Sequence, residues 1–216
     1  YRPPKMPTPS SRQKILLTSA FLVPFIYFGA QFLAAPYFPN YSIFTTSASD
    51  LGSNLSSRPG ILNIGALLTS ILAFLGSVGL ARSLPRLGAS KVAAFLLALS
   101  LASIGLAALW AGLHPLPHPQ HNPGALGFGM FVAPFAAVWT AWRMKNVKII
   151  RFSLILNVVA FIVMGAIMSG ATTIDLAAFG GLIQKLLAAS SFLPSSVLAG
   201  IALMDTRSHR QMSNAV

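Results

Sequence analysis

Long apolar segments alternate with short polar ones along this chain, and that alternation predicts its elements. Six stretches reach the roughly 20 mainly apolar residues that a helix needs to cross a bilayer: 15–35, 61–81, 92–113, 124–142, 147–169 and 186–204. Pro24 falls inside the first, so a kink is expected there, with a carbonyl that neighbouring helices must satisfy. Segment 172–185 is open to two readings. Leu176, Phe179, Leu182 and Ile183 recur at helical spacing, which fits a short interfacial helix feeding the last span, or one helix running from Asp175 to Met204. The fold class is therefore an all-α integral membrane bundle of six transmembrane helices. A basic, Pro-rich tail (1–14) precedes the 15–204 bundle, and a second tail (205–216) follows it. The chain begins at Tyr1 rather than Met, as expected if N-terminal residues are missing. The first apolar run is too long for a signal-peptide core and reads as a retained helix.

Composition strengthens this picture. Only 8% of residues are charged, against roughly 25% in soluble domains, and 55% are hydrophobic. There is no Glu, and Asp occurs only at 50, 175 and 205. The net charge of +12 comes from short basic clusters between spans, which argues for topology signals and contact with anionic lipid rather than for nucleic acid. Arg2, Lys5, Arg12, Lys14, Arg82, Arg86, Lys91, Arg143, Lys145, Lys148, Arg151, Arg207 and Arg210 all fall on one side of a six-crossing bundle. The positive-inside rule then places both termini in the cytoplasm, in a plasma or bacterial inner membrane. Glycines 65, 76, 79, 105, 112, 124, 127 and 129 lie within or beside spans and predict close helix packing.

That topology gathers the candidate chemistry on the outer face. Ser47, Ser49 and Asp50 lie in the first loop, and His114, His118, His121 and Asn122 in the third. Asp50, His118 and His121 are the residues that could hold a transition metal, with zinc the natural ion, or perform acid–base chemistry. Pro115, Pro117 and Pro119 oppose a helix there and predict an extended, polyproline II-like stretch. With no cysteine, thiolate sites and disulfides are excluded. No histidine lies within a span, which argues against a buried haem ligand, and no charged residue lies mid-span, which argues against ion coupling. Gln31, Asn63 and Asn157 remain as polar lining candidates. No Gly-x-Ser-x-Gly elbow occurs, and the pairs Ser56-Ser57, Ser190-Ser191 and Ser195-Ser196 have no basic partner nearby in sequence, so they read as loop or packing hydroxyls.

The order of several short motifs resembles the domain-of-unknown-function 998 family. Tyr41-Ser42 and Ser49-Asp50-Leu51-Gly52 resemble its Ser-Glu-Leu-Gly motif, and Asn63 follows at the start of span two. His121 with Gly124-Ala125-Leu126-Gly127-Phe128 resembles its outer-loop His before span four. Gly181-Leu182-Ile183-Gln184-Lys185 resembles its Gly-Leu-x-Glu-Arg ahead of span six. Asp50 replaces the usual Glu, and Gln184-Lys185 replaces Glu-Arg, which removes the acid of an ion pair. The resemblance spans about 15–204 and implies a six-helix membrane protein with no established reaction.

Three functions are carried forward. The first is non-enzymatic: binding of a lipid or small apolar ligand, or service as an accessory subunit beside other membrane subunits, with the outer polar face (Ser49, Asp50, Asn63, His114, His118, His121) as the recognition surface and no cofactor. The second is an outward-facing, metal-assisted lipid hydrolase using Asp50, His118 and His121. The third is a small-solute transporter.

Overall fold

The computed structural model describes residues 10–214, with side chains described to residue 205; residues 1–9 and 215–216 of the two expected tails lie outside the described residues, and 205–214 is not a separate tail but the end of the last helix. Seven α-helices follow in order: α1 (Ser11–Ala34), α2 (Ala48–Leu51), α3 (Gly60–Ser83), α4 (Lys91–Leu113), α5 (Gly129–Trp142), α6 (Lys148–Met168) and α7 (Leu176–Asn214). There is no strand among the described residues, and all the helices but α2 belong to segments long and apolar enough to span a membrane. Segment 172–185 resolves to the second of its two readings, because α7 runs unbroken from Leu176.

The packing order makes a closed ring. α1 packs on α3, α3 on α4, α4 on α5, α5 on α7, and α7 back on α1. α6 stands outside, packed mainly against α5 and α7, and 11% of its span is buried against 39–56% for the other five. Leu17 and Val23 of α1, Leu80 of α3, Leu97 and Leu101 of α4, Ala137 of α5 and Leu198 of α7 form the fully buried centre. Small residues set how closely the ring closes. A Cβ on Gly76 of α3 would come 2.6 Å from the Ala20 Cα of α1, and one on Gly129 of α5 would come 2.8 Å from the Ser100 Cα of α4. Among the glycines expected to serve this purpose, Gly124 is different, meeting only Asn122 Oδ1 at 3.8 Å.

Two connections end on glycines with positive φ, Gly88 and Gly170. In both, the residue after the glycine bonds back five positions (Ala89 N–H to Leu84 O, Ala171 N–H to Ala166 O), closing the orphan carbonyls of the last turn. The fourth span starts later than its hydropathy suggests. Its first residues form a short 3-10 turn, Pro123–Ala125, and α5 begins only at Gly129. Ser103 of α4 causes the late start: its Oγ accepts from Gly129 N–H (3.0 Å) and donates to Leu126 O (2.7 Å). The fourteen residues of α5 rise about 21 Å, so non-helical backbone completes this crossing and is held by another helix, not by lipid.

Three prolines lie inside helices, and each removes the donor for a carbonyl four residues earlier. Pro134 frees Met130 O, which accepts from Ser191 Oγ of α7 at 3.1 Å. Pro194 frees Ser190 O, which accepts from Asn157 Nδ2 of α6 at 2.9 Å. Beside Pro24, Ser196 of α7 donates to Phe21 O at 2.7 Å. Ser191 and the mid-span Asn157 thus donate to carbonyls that proline frees, and Ser196 donates beside Pro24.

The Asn157 bond can be isolated. Asn157→Leu should cost about 1 kcal/mol, read as a lowered thermal midpoint in detergent, because a carbonyl is left bare in an apolar setting. On a Pro194→Ala background residue 194 regains an N–H, so the same substitution should then cost close to nothing. An equal loss on both backgrounds would disprove the pairing.

Candidate functional site

The basic and histidine-bearing loops lie at opposite ends of the bundle. At the basic end, Arg86 Nη1 donates to Gln13 Oε1 (2.8 Å) and Gln13 Nε2 to Ser83 Oγ (2.8 Å), joining the start of α1 to the α3–α4 connection. Arg151 donates to Ala141 O and Met144 O at 3.2 Å, closing the end of α5, and lies 5.4 Å from the Trp142 ring centre. These cations have a structural role at this end of the bundle.

At the histidine end, the 38–59 loop is packed down over the ring. Its short helix α2 is nucleated by a reciprocal cap: Ser47 N–H donates to Asp50 Oδ2 (2.7 Å) and Asp50 N–H to Ser47 Oγ (3.1 Å). Gly52 follows and lies so close to Asn63 Oδ1 that a side chain would collide, while Asn63 Nδ2 donates to Gly52 O at 3.0 Å. α7 grips the same loop from the other side. Leu182 N–H donates to Phe44 O (3.0 Å), Gln184 Oε1 accepts from Ala48 N–H (2.9 Å), and Lys185 Nζ donates to the carbonyls of Thr46 and Gly181. Gly181 leaves no space for a side chain against Thr45 and Thr46. Lys185 spends its ammonium protons on carbonyls, the arrangement that suits a cation near the hydrocarbon edge.

The histidine stretch is not extended, which corrects the polyproline II expectation. Two successive turns fold it, with His118 N–H on Pro115 O (2.8 Å) and His121 N–H on His118 O (2.9 Å). Pro119 sits at the second position of the second turn, where its fixed φ favours turning. Polyproline II has no internal hydrogen bonds, whereas these turns satisfy the backbone locally. His114 ends α4, its ring stacked on Trp110 with centroids 4.2 Å apart. His118 is exposed, and its Nδ1 accepts from Gln120 N–H at 3.1 Å.

His121 is carried inward. Its Nδ1 lies 2.6 Å from His114 O and its Nε2 2.9 Å from Ser49 Oγ. A carbonyl can only accept, so Nδ1 must carry the proton. The neutral ring then offers a lone pair at Nε2, and Ser49 must donate to it. Asp50, His118 and His121 do not converge, and among the described residues no three His or Asp side chains gather as metal ligands. Asp50 caps its own helix, and His121 has both nitrogens occupied.

Ser49 and His121 open onto a cavity of about 280 Å³ inside the ring. Every ring helix lines it: Tyr27 and Ala30 of α1, Asn63 and Ala66 of α3, Ile104 and Ala108 of α4, Met130 of α5, Gln184 and Phe192 of α7. The polar groups Ser49, His121, Asn63 and Gln184 stand at the loop end. Ile104 lies nine residues before the end of α4, about 14 Å deeper, among apolar neighbours. The space therefore has a polar mouth and a mostly apolar floor of Ile104, Met130 and Phe192, with the Tyr27 ring beside Phe192. Of the other expected polar residues, Gln31 is buried in α1 with Nε2 on Tyr27 O (3.4 Å), and Asn157 serves Pro194; neither lines the cavity. Gln184 came from the resemblance alone, and its place on the cavity wall has no signal in spacing.

The family model described as a protein of unknown function, DUF998, matches residues 21–201. The chain belongs to the DUF998 family. No curated protein and no solved structure matches it. In this DUF998 chain the motif residues from separate loops and helices, Ser49, Asn63, His121 and Gln184, meet around one cavity.

The α7 clamp has a direct test. Lys185→Met removes charged hydrogen bonds worth about 1.5–3 kcal/mol. Amide exchange over 43–52 should quicken at least about tenfold while exchange in α3 and α4 stays unchanged. Unchanged exchange in the loop would show that α7 does not hold it.

Proposed function

We propose that this membrane protein binds one apolar chain of a lipid, or a comparable amphiphile, in the cavity at the histidine end of its helix ring. The observation that carries the reading is the gradient along the cavity, from Ser49, Asn63, His121 and Gln184 at the mouth to Ile104, Met130 and Phe192 below. Such a gradient matches a molecule with a polar head and an apolar tail. A dry apolar cavity of about 150 Å³ already takes a benzene-sized guest, so the space here suits a short stretch of acyl chain. The placement of basic clusters at the opposite end supports cytoplasmic termini and a mouth facing outward, with the basic loops against anionic lipid.

Ligand capture tests the binding reading. The purified protein, irradiated with a phospholipid bearing a diazirine on its acyl chain, should crosslink at cavity residues such as Ala108 and Phe192. Ala108→Phe should lower capture at least about tenfold by filling the space, with the thermal midpoint kept within a few degrees. Capture confined to the lipid-facing surface, or undiminished in the Ala108→Phe protein, would sink the reading.

Orientation has its own test. The sequence has no cysteine, so single cysteines can be introduced without background. In intact cells Gln120→Cys should react with an impermeant maleimide and Lys145→Cys should not; the reverse pattern would invert the topology.

A further inference from the structure

The geometry points to a second property of the same cavity: Ser49 is a nucleophile and His121 its general base, for acyl transfer from an ester whose acyl chain occupies the space below. The inference rests on the proposed binding reading, since the cavity is what would bring a carbonyl to Ser49.

The argument begins with the hydrogen bonds. Nucleophilic serine chemistry needs a hydroxyl bonded to a basic nitrogen, and a third group that fixes the imidazole tautomer and orientation. His121 Nε2 lies 2.9 Å from Ser49 Oγ, and His114 O, 2.6 Å from Nδ1, holds the ring in the tautomer with its lone pair at Nε2. The third group is a backbone carbonyl rather than a carboxylate. It performs the orienting task without adding charge. Ser49 is held in α2 by the Ser47–Asp50 cap and the Gln184 bond to Ala48, so the hydroxyl sits on a fixed turn. Both partners line the cavity, where a substrate carbonyl could reach them.

Donors for a developing oxyanion are also present. Gln184 accepts through Oε1, which leaves its amide N–H groups for the cavity, and Asn63 spends one amide proton on Gly52 O and keeps another.

The step balances with an ester and water as the reactants. The Ser49 Oγ–H proton passes to His121 Nε2 as Oγ bonds to the carbonyl carbon. The ester C–O bond breaks, and the proton on Nε2 goes to the departing alcohol oxygen. Water then adds to the acyl carbon and gives its proton to Nε2. The Oγ–C bond breaks, and Oγ recovers that proton as the carboxylic acid leaves.

A fluorophosphonate bearing an alkyl chain is the probe. On the native protein, attack should form an Oγ–P bond with loss of fluoride, and peptide mass spectrometry should place the adduct on Ser49. Ser49→Ala should abolish it. His121→Gln, which cannot take the proton, should slow it by about 10²–10⁴. No adduct on Ser49 of the native protein, or an adduct whose rate ignores His121→Gln, would overturn the inference. The two readings fail separately. Lipid capture without an adduct removes the chemistry and leaves the binding site. An adduct without capture in the cavity removes the binding site as proposed. If the hydrogen bond only staples two loops, Ser49→Ala lowers the thermal midpoint and the native protein stays unlabelled, which also overturns the chemistry.

Discussion

Hydrocarbon offers no water to a backbone carbonyl, so each carbonyl deprived of its helical donor must find another inside the protein. Three prolines lie inside helices of this bundle, and the donors that answer two of the carbonyls they free, with one more beside the third proline, fix how the helices sit. Ser191 and Ser196 of α7 reach Met130 O of α5 and Phe21 O of α1, and Asn157 of α6 reaches Ser190 O of α7. α7 is thereby bonded to three neighbours at polar points within an apolar medium, where association cannot draw on the hydrophobic effect. Its rotation and depth follow from those points. Once they are set, Gln184, Ala188 and Phe192 face the ring centre, and Lys185 meets the loop carbonyls above.

The ring itself explains why a cavity exists and why it lies at one end. Deep in the bundle, Gly76 and Gly79 of α3 seat against Ala20 and Leu16 of α1, so backbones touch and no space is left. Nearer the histidine end Gly65 and Gly112 still bring α3 close to α1 and α4, but α3 and α4 also present the short side chains of Ala66, Ala108 and Ala111 to the cavity. Glycine permits contact of backbones, whereas alanine on facing walls leaves the centre empty. The loops then roof the space instead of filling it. α6, outside the ring, adds no wall to the cavity; its contribution is the Asn157 donor that keeps α7 continuous through Pro194.

Hydropathy revealed the spans because the bilayer imposes one local requirement, about 20 apolar residues in a row. The small residues told of close packing for a similarly local reason. The failures are all long-range. The stretch 124–128 is apolar enough to count as helix, yet Ser103, more than twenty residues away, fixes it as turn. The His-Pro repeat reads as extended because proline preferences are local, while its folding into two turns places His121 beneath the His114 carbonyl. Asn157 looked like a lining residue because its partner is another helix's proline. Ser49 was grouped with Asp50 as a loop polar residue. Its pairing with His121 spans 72 positions, and no short motif of the elbow type announces it.

The same geometry decides which of the two adjacent residues, Ser49 or Asp50, faces the cavity. An acid beside an imidazole is the more familiar catalytic element, and sequence reasoning favoured Asp50 accordingly. The four-residue helix reverses that preference. Its cap draws the Asp50 carboxylate back onto Ser47 N–H, and an accepting oxygen bound at 2.7 Å to a backbone donor is committed to the turn. Residue 49 is the one turned toward the ring axis. The imidazole that meets it has Nδ1 bound to a carbonyl, so in the neutral ring Nε2 is left with a lone pair and no proton to offer. A hydroxyl is the side chain that can satisfy such a nitrogen by donating. The fold therefore selects a serine at this position by the direction of one proton, and that direction is also the one that activates an oxygen for attack.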